Sequence, residues 1–146
     1  MINAVLAGAR PPAADWLLVN IAPVFASIAI LRGPHLIFFR NRAADTEGTL
    51  ADLVHQTAMY YEDRLKGGGF TQVLLAGGSA ADAQGHDAAG ELRRSLQERL
   101  GSSVQAVDPR SAAAIGDRIG ASPALLDTLA PLVGLLLRYR GTEVAS

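Results

Sequence analysis

WLLVNIAPVFASIAILRGPHLIFFR, residues 16–40, sets the architecture of the chain. It holds three apolar, β-branched runs, Trp16–Ile21, Val24–Leu31 and His35–Arg40, separated by Ala22-Pro23 and Arg32-Gly33-Pro34. Connections this short join neighbouring antiparallel strands, because a parallel pair needs a long crossover. The stretch therefore predicts a three-stranded meander. Gly33 is the residue suited to a positive φ in its second turn.

Working outward, the polar residues Asn41–Gly48 close the meander. Thr49 reads as a helix N-cap, with Asp52 three residues on as a variant of the capping box. Leu50, Leu53, Val54, Thr57, Ala58, Tyr61 and Leu65 come next at helical spacing, and Gly67-Gly68-Gly69 stops the helix. Phe70–Ala76 is mostly apolar and predicts a central fourth strand, followed by the turn Gly77-Gly78-Ser79-Ala80. A second helix is expected over Ala88–Leu100, with Leu92, Leu96 and Leu100 on one face and Gly101 as its stop. Val104–Val107 predicts a short fifth strand. Ser122-Pro123 is an N-cap and N1 pair, and Pro131 divides the C-terminal helical pattern into a short helix and a last one over about Ala130–Arg138.

The order βββαβαβα, with right-handed crossovers after the meander, gives an α/β fold with a mixed five-stranded sheet of order 3-2-1-4-5 and helices on both faces. Residues 1–15 form a lead-in with helical character, 16–140 the domain and 141–146 a tail. This is the ribonuclease H-like topology, which hosts both nucleases and nucleotide-binding proteins, so fold alone does not choose a function.

Composition narrows the classes. The chain has 146 residues, with 13 Lys+Arg against 14 Asp+Glu for a net charge of −1, 49% apolar residues and no Cys. One domain with a self-sufficient core is expected from the length. The absence of Cys excludes disulfides and thiolate metal sites. Near-neutral charge speaks against nonspecific nucleic-acid binding, which needs a basic surface. Arg accounts for all basic residues but Lys66, which with abundant Ala and Gly reads as the codon bias of a GC-rich genome. The longest apolar stretch, Leu129–Leu137, is far short of the ~20 residues of a membrane span, and Met1–Arg10 lacks the basic start of a signal peptide. The expected compartment is the cytoplasm.

Candidate chemistry is sparse. A two-metal nuclease needs several carboxylates near the first strand. That strand carries Asn20 instead, and no inward-facing acid is expected on any strand. His35, His55 and His86 have no metal-ligand spacing. Ser79 lacks a G-x-S-x-G context. Tyr60-Tyr61 reads as surface plus core. Arg93, Arg94 and Arg99, interleaved with Glu91 and Glu98, read as a solvated helix face. Leu135, Leu136, Leu137 and Tyr139 exceed what one face can bury and suggest an interaction surface.

Three segments in order carry a resemblance. They are Val19–Ile30, with Arg40 after the third strand; Leu75-Ala76-Gly77-Gly78-Ser79-Ala80; and Ala130-Pro131-Leu132-Val133-Gly134-Leu135-Leu136-Leu137-Arg138. Together the chain resembles, over about Trp16–Arg138, the C-terminal half of the PilM-like proteins of type IV pilus assembly, within the actin-like ATPase superfamily. It is also similar to the type II secretion L proteins and to FtsA. The matching family segments read D-x-G-x-x-x-T-S, L-x-G-G-x-A and A-x-x-x-G-L-A-L-R. The family's hairpin Asp is Asn20 here and its Gly is Ala22. Pro23 also removes a backbone donor from that turn. The subdomain that comes after the third strand in the family is reduced to Asn41–Gly48, and the family's first half lies outside this chain.

The resemblance implies a noncatalytic actin-like domain. It would be an assembly platform on the cytoplasmic side of the inner membrane in a pilus or secretion machine, binding a short cytoplasmic peptide of a membrane-anchored component. No cofactor is implied in that case. The alternative it implies is half of an ATP-binding ATPase. ATP with Mg would then meet Asn20 and Ala22 at the phosphate end and Gly77, Gly78 and Ser79 at the adenosine end. A self-associating module, in which a second copy replaces the missing half, is a third reading.

Overall fold

The computed structural model describes residues 2, 5, 13–22, 24–43, 47–77, 88–107, 125–127, 129 and 131–132. Its elements run β1 (Asp15–Ile21), β2 (Phe25–Arg32), β3 (His35–Ala43), α1 (Leu50–Leu65), β4 (Gln72–Ala76), α2 (Ala88–Leu100) and β5 (Val104–Ala106). The five strands form one sheet in the order β3-β2-β1-β4-β5. β1–β2 and β2–β3 are antiparallel, and β1–β4 and β4–β5 parallel. The meander and the strand order are as the sequence predicts.

β1 lies between two neighbours and is buried on both faces, which is why Trp16–Val19 reads as an unbroken apolar run rather than an alternation. Leu17 and Val19 point to one face. There they join Ile28, Ile30, Val73, Leu75 and Val104 under Val54 and Tyr61 of α1 and Leu96 of α2. Trp16 and Leu18 point to the other, with Ala29, Leu31, Leu74 and Ala76, where Ile2 and Val5, both helical, pack. The crossovers from β3 to β4 and from β4 to β5 step across the sheet in the same direction. A shared right hand therefore lays α1 and α2 on the same face. Cover on the second face comes, among the described residues, from the start of the chain and Val107.

Several boundaries move. Val24 is 71% exposed and stands in the turn, so β2 starts at Phe25. β3 runs past Arg40, because Asn41, Arg42 and Ala43 pair with Ser27, Ala26 and Phe25. The polar stretch expected to end the meander thus begins as edge strand, where polar residues sit in solvent at no cost. Between the pairs Ile30–Phe38 and Leu31–Leu36 the register shifts, leaving Ile37 as a bulge. β4 starts at Gln72 rather than Phe70, whose ring instead stacks on Tyr61 with centroids 4.6 Å apart. β5 ends at Ala106, although the Val107 N–H still donates to the Leu75 carbonyl at 2.9 Å.

The local signals are realised with one change. Thr49 caps α1, its Oγ1 accepting from the Asp52 N–H at 3.0 Å and donating to the Asp52 carboxylate at 2.6 Å. At the other end the left-handed residue is Lys66, at φ 55°, one place before the glycine run expected to stop the helix; the Gly67 N–H then returns to the Tyr61 carbonyl. Gly33 takes φ 54° in the β2–β3 turn, and its carbonyl accepts a 2.7 Å hydrogen bond from Trp16 Nε1, which satisfies the indole inside the core. Residues 125–127, 129, 131 and 132 are helical. The Ser122-Pro123 cap and the Leu135–Tyr139 stripe lie outside the described residues.

Candidate functional site

β1 and β4 run parallel, and their carboxyl ends meet where the chain direction across the sheet reverses. Open α/β sheets bind ligands at such a switch point. Asn20 is in register with Ser27 of β2 on one side and Ala76 of β4 on the other. The β1–β2 hairpin closes with the Ala22 N–H donating to the Phe25 carbonyl at 2.9 Å. Gly77 leaves β4 at φ 78°, and a Cβ there would overlap the Ile21 carbonyl oxygen. Only glycine permits both the positive φ and the close approach. Asn20, Ala22 and Gly77, singled out from sequence, are thus brought to one edge. Gly78 and Ser79 lie outside the described residues.

A residue that sequence reasoning missed stands at this edge. The half-buried Asp127, in the helical segment 125–127, accepts the Gly77 N–H through Oδ1 at 3.3 Å. Its separation from Gly77, 50 residues along the chain, left no local signal. Two backbone donors that could have met an anion are therefore engaged, that of Ala22 by a carbonyl and that of Gly77 by a carboxylate. Among the described residues no three His, Asp or Glu side chains gather in a way that could hold a metal ion.

At the opposite, amino end of β1 lies a second polar cluster, and it corrects the expectation that no strand carries an inward-facing acid. Asp15 belongs to β1 and is 8% exposed. Its carboxylate receives Arg32 Nε on Oδ1 at 2.7 Å and a terminal guanidinium nitrogen on Oδ2 at 2.8 Å. The Tyr61 hydroxyl donates to Oδ2 at 2.6 Å. The Arg32 hydrogen bonds, with help from Tyr61 and against the effect of burial, hold the Asp15 pKa below its usual value. Burial first, then the adjacent carboxylate, push the Tyr61 phenol up to about 12. The Asp15 carbonyl accepts from the Thr71 N–H at 2.9 Å and the Thr71 hydroxyl at 3.0 Å. Both carboxylate oxygens and the carbonyl of Asp15 are matched by protein donors. The cluster ties β1, β2, α1 and the approach to β4 together.

The other sequence candidates are dispersed. Arg99 is bound to Asp52 at 2.6 Å, joining α2 to the first turn of α1. Tyr61 is buried, whereas Tyr60 is 47% exposed and meets Phe38 at 5.5 Å between ring centroids. Arg40 lines an open cleft of about 380 Å³ between the end of β3 and the start of α1. A further groove, of about 480 Å³, runs over the sheet face away from α1 and α2, lined by Ile2, Leu18, Asn20, Ser27, Ala29, Leu36 and Phe39. Among the described residues no helix is long and apolar enough to cross a membrane.

No protein-family model matches the chain, and no curated protein matches its sequence. Solved structures do match. The structure of a PilM–PilN type IV pilus biogenesis complex superposes over 96% of this chain and 51% of its own with a TM-score of 0.65 at 18% identity. The ethanolamine utilization protein EutJ of Carboxydothermus hydrogenoformans gives 0.48 at 15% identity, over 93% of this chain and 52% of its own. An AlfA filament bound to AMPPNP gives 0.48 at 15%, over 97% and 42%. The chain spans about half the length of these proteins or less. With its 3-2-1-4-5 sheet and its likeness to the PilM–PilN structure, the chain is an α/β domain of the actin-like ATPase, ribonuclease H-like fold.

Proposed function

We propose that this domain is a noncatalytic assembly platform of a type IV pilus or type II secretion machine, working on the cytoplasmic side of the inner membrane. In this reading it binds a short cytoplasmic peptide of a membrane-anchored component. The observation that carries the reading is the state of the β1–β4 edge. Asn20 stands where the family resemblance would place an acid, and the Ala22 and Gly77 N–H groups are engaged within the protein. A phosphate approaching Gly77 would also meet the Asp127 carboxylate, a like charge. These residues do not fit a triphosphate with Mg. Likeness to a structure that contains a pilus assembly complex supports the partner class. The test is affinity purification of the tagged chain from its own cells after mild crosslinking. Recovery of one membrane-anchored pilus or secretion component at constant ratio is expected. Its absence under conditions that assemble the machine overturns the reading.

A second reading keeps the fold's nucleotide chemistry. In it the chain is half of an ATP-binding ATPase, with Gly77, Gly78 and Ser79 on the adenosine side and Asn20 and Ala22 toward the phosphates. The left-handed Gly77, seated at the switch point against the β1–β2 hairpin, favours it. Micromolar binding of Mg-ATP by a longer chain that includes this one, lost in Gly78→Val, would establish it. A homo-oligomer in which a second copy completes the fold would show as a dimer in light scattering.

A further inference from the structure

β3 is an outer strand of the sheet, nine residues long, and among the described residues its ladder runs only to β2. Its other edge carries alternate backbone N–H and C=O groups, with no strand beside them among the described residues. Proteins usually blunt such an edge with lysine, proline or an inward charge. HLIFFRNRA has neither lysine nor proline, and its protection is confined to Arg40, Arg42 and the Ile37 bulge. The two faces beside this edge differ. Toward the 480 Å³ groove stand Leu36 and Phe39, 51% and 55% exposed. On the opposite face Arg40 is exposed in a cleft that it shares with Arg42, Glu47 and the Arg99-bound Asp52, and the strand itself holds no acid.

We propose that β3 accepts an extended peptide as a sixth strand of the sheet. The peptide's side chains alternate, apolar toward Leu36 and Phe39, carboxylate toward Arg40. Cross-strand neighbours sit about 5 Å apart, so the residue opposite Arg40 is within ion-pair reach, while those on either side of it turn into the groove. Backbone pairing supplies affinity and alternate side chains supply selectivity, as in strand addition generally. Charge disfavours a second copy paired antiparallel about Arg40, because that register sets two Arg40 side chains opposite each other with no carboxylate in either strand to offset them. The proposal deepens the platform reading by naming the surface, and it rests on that reading only for where the peptide comes from.

The test selects random peptides about ten residues long, the reach of a long strand, on the intact chain, and titrates the synthesised winners. Alternating apolar and acidic sequences are expected. Bound peptide should slow amide hydrogen exchange along β3 and leave the β5 edge unchanged. Arg40→Glu should weaken binding about tenfold or more, since it sets like charges opposite each other. Phe39→Thr, which keeps a β-forming residue, should weaken it with no loss of fold by circular dichroism. Winners without alternation, equal binding by Arg40→Glu, protection away from β3, or no winner at all would overturn the proposal. If β3 binds such peptides while no pilus or secretion component is recovered from cells, the platform reading fails and the edge assignment stands. If a component is recovered equally by wild type, Arg40→Glu and Phe39→Thr, the reverse holds.

Discussion

The Tyr61 hydroxyl donates a 2.6 Å hydrogen bond to the Asp15 carboxylate across 46 residues of chain, inside the core. It joins the C-terminal part of α1 to the first residue of β1, and Arg32 at the end of β2 shares the same carboxylate. Replacing Tyr61 by Phe keeps the ring and its stacking on Phe70 but removes the donor. A hydrogen bond to a charged group contributes about 1.5–3 kcal/mol, so Tyr61→Phe should lower unfolding stability by about that amount in urea, with an unchanged slope.

The same bond sets an alkaline transition. The Tyr61 phenol is raised from 10.0 to about 12 in the folded protein, whereas in the unfolded chain it returns to its ordinary value. Its proton is held more tightly when folded. The contribution of Tyr61 to stability is therefore constant below pH 10 and falls as the pH rises from 10 toward 12. Ultraviolet titration of the three tyrosines should show one ionising late, and Tyr61→Phe should abolish that step.

Asp15 gives the opposite slope. Its folded pKa is depressed below 3.8, so its stabilising effect is complete above that value and is lost as the pH drops through it. Thermal melts across the acid range should show the wild type losing stability below about pH 4. Asp15→Asn should start lower and show a smaller acid dependence.

Glycines can be ranked by what surrounds them. Gly77→Ala combines a left-handed backbone, worth about 1–2 kcal/mol, with overlap of the Ile21 carbonyl oxygen. Gly48→Ala has a positive φ but open space, and only the backbone cost applies. A Cβ on Gly67 would run into the Tyr61 ring, whereas Gly68 has room, so Gly68→Ala should stay within about 0.5 kcal/mol of wild type. Melting temperatures should fall for Gly77→Ala and Gly67→Ala well below those for Gly48→Ala and Gly68→Ala. Equal losses in all four would show that these close approaches are not part of the fold.

The sheet is legible in the sequence because its signals are local. Gaps of two and three residues force antiparallel neighbours, Gly33 marks a turn, and Thr49 with Asp52 marks a helix start. Strand ends are not legible where burial and strand state part company. Asn41, Arg42 and Ala43 are polar or small yet paired, because an edge strand asks for no apolar side. Asp15 reads as lead-in because a carboxylate looks wrong in a buried strand until Arg32 and Tyr61 are seen to satisfy it. Asn20, Ala22 and Gly77 can be grouped from motif order alone. Asp127 cannot, since only the folded chain carries it to Gly77.

Calorimetric titration of the intact chain with Mg-ATP reads whether the β1–β4 edge is closed to nucleotide. No saturable heat is expected at micromolar to millimolar nucleotide, because the Gly77 and Ala22 N–H groups are engaged and Asp127 repels phosphate. Saturable micromolar binding that disappears in Gly77→Val, with the variant still folded, would contradict it.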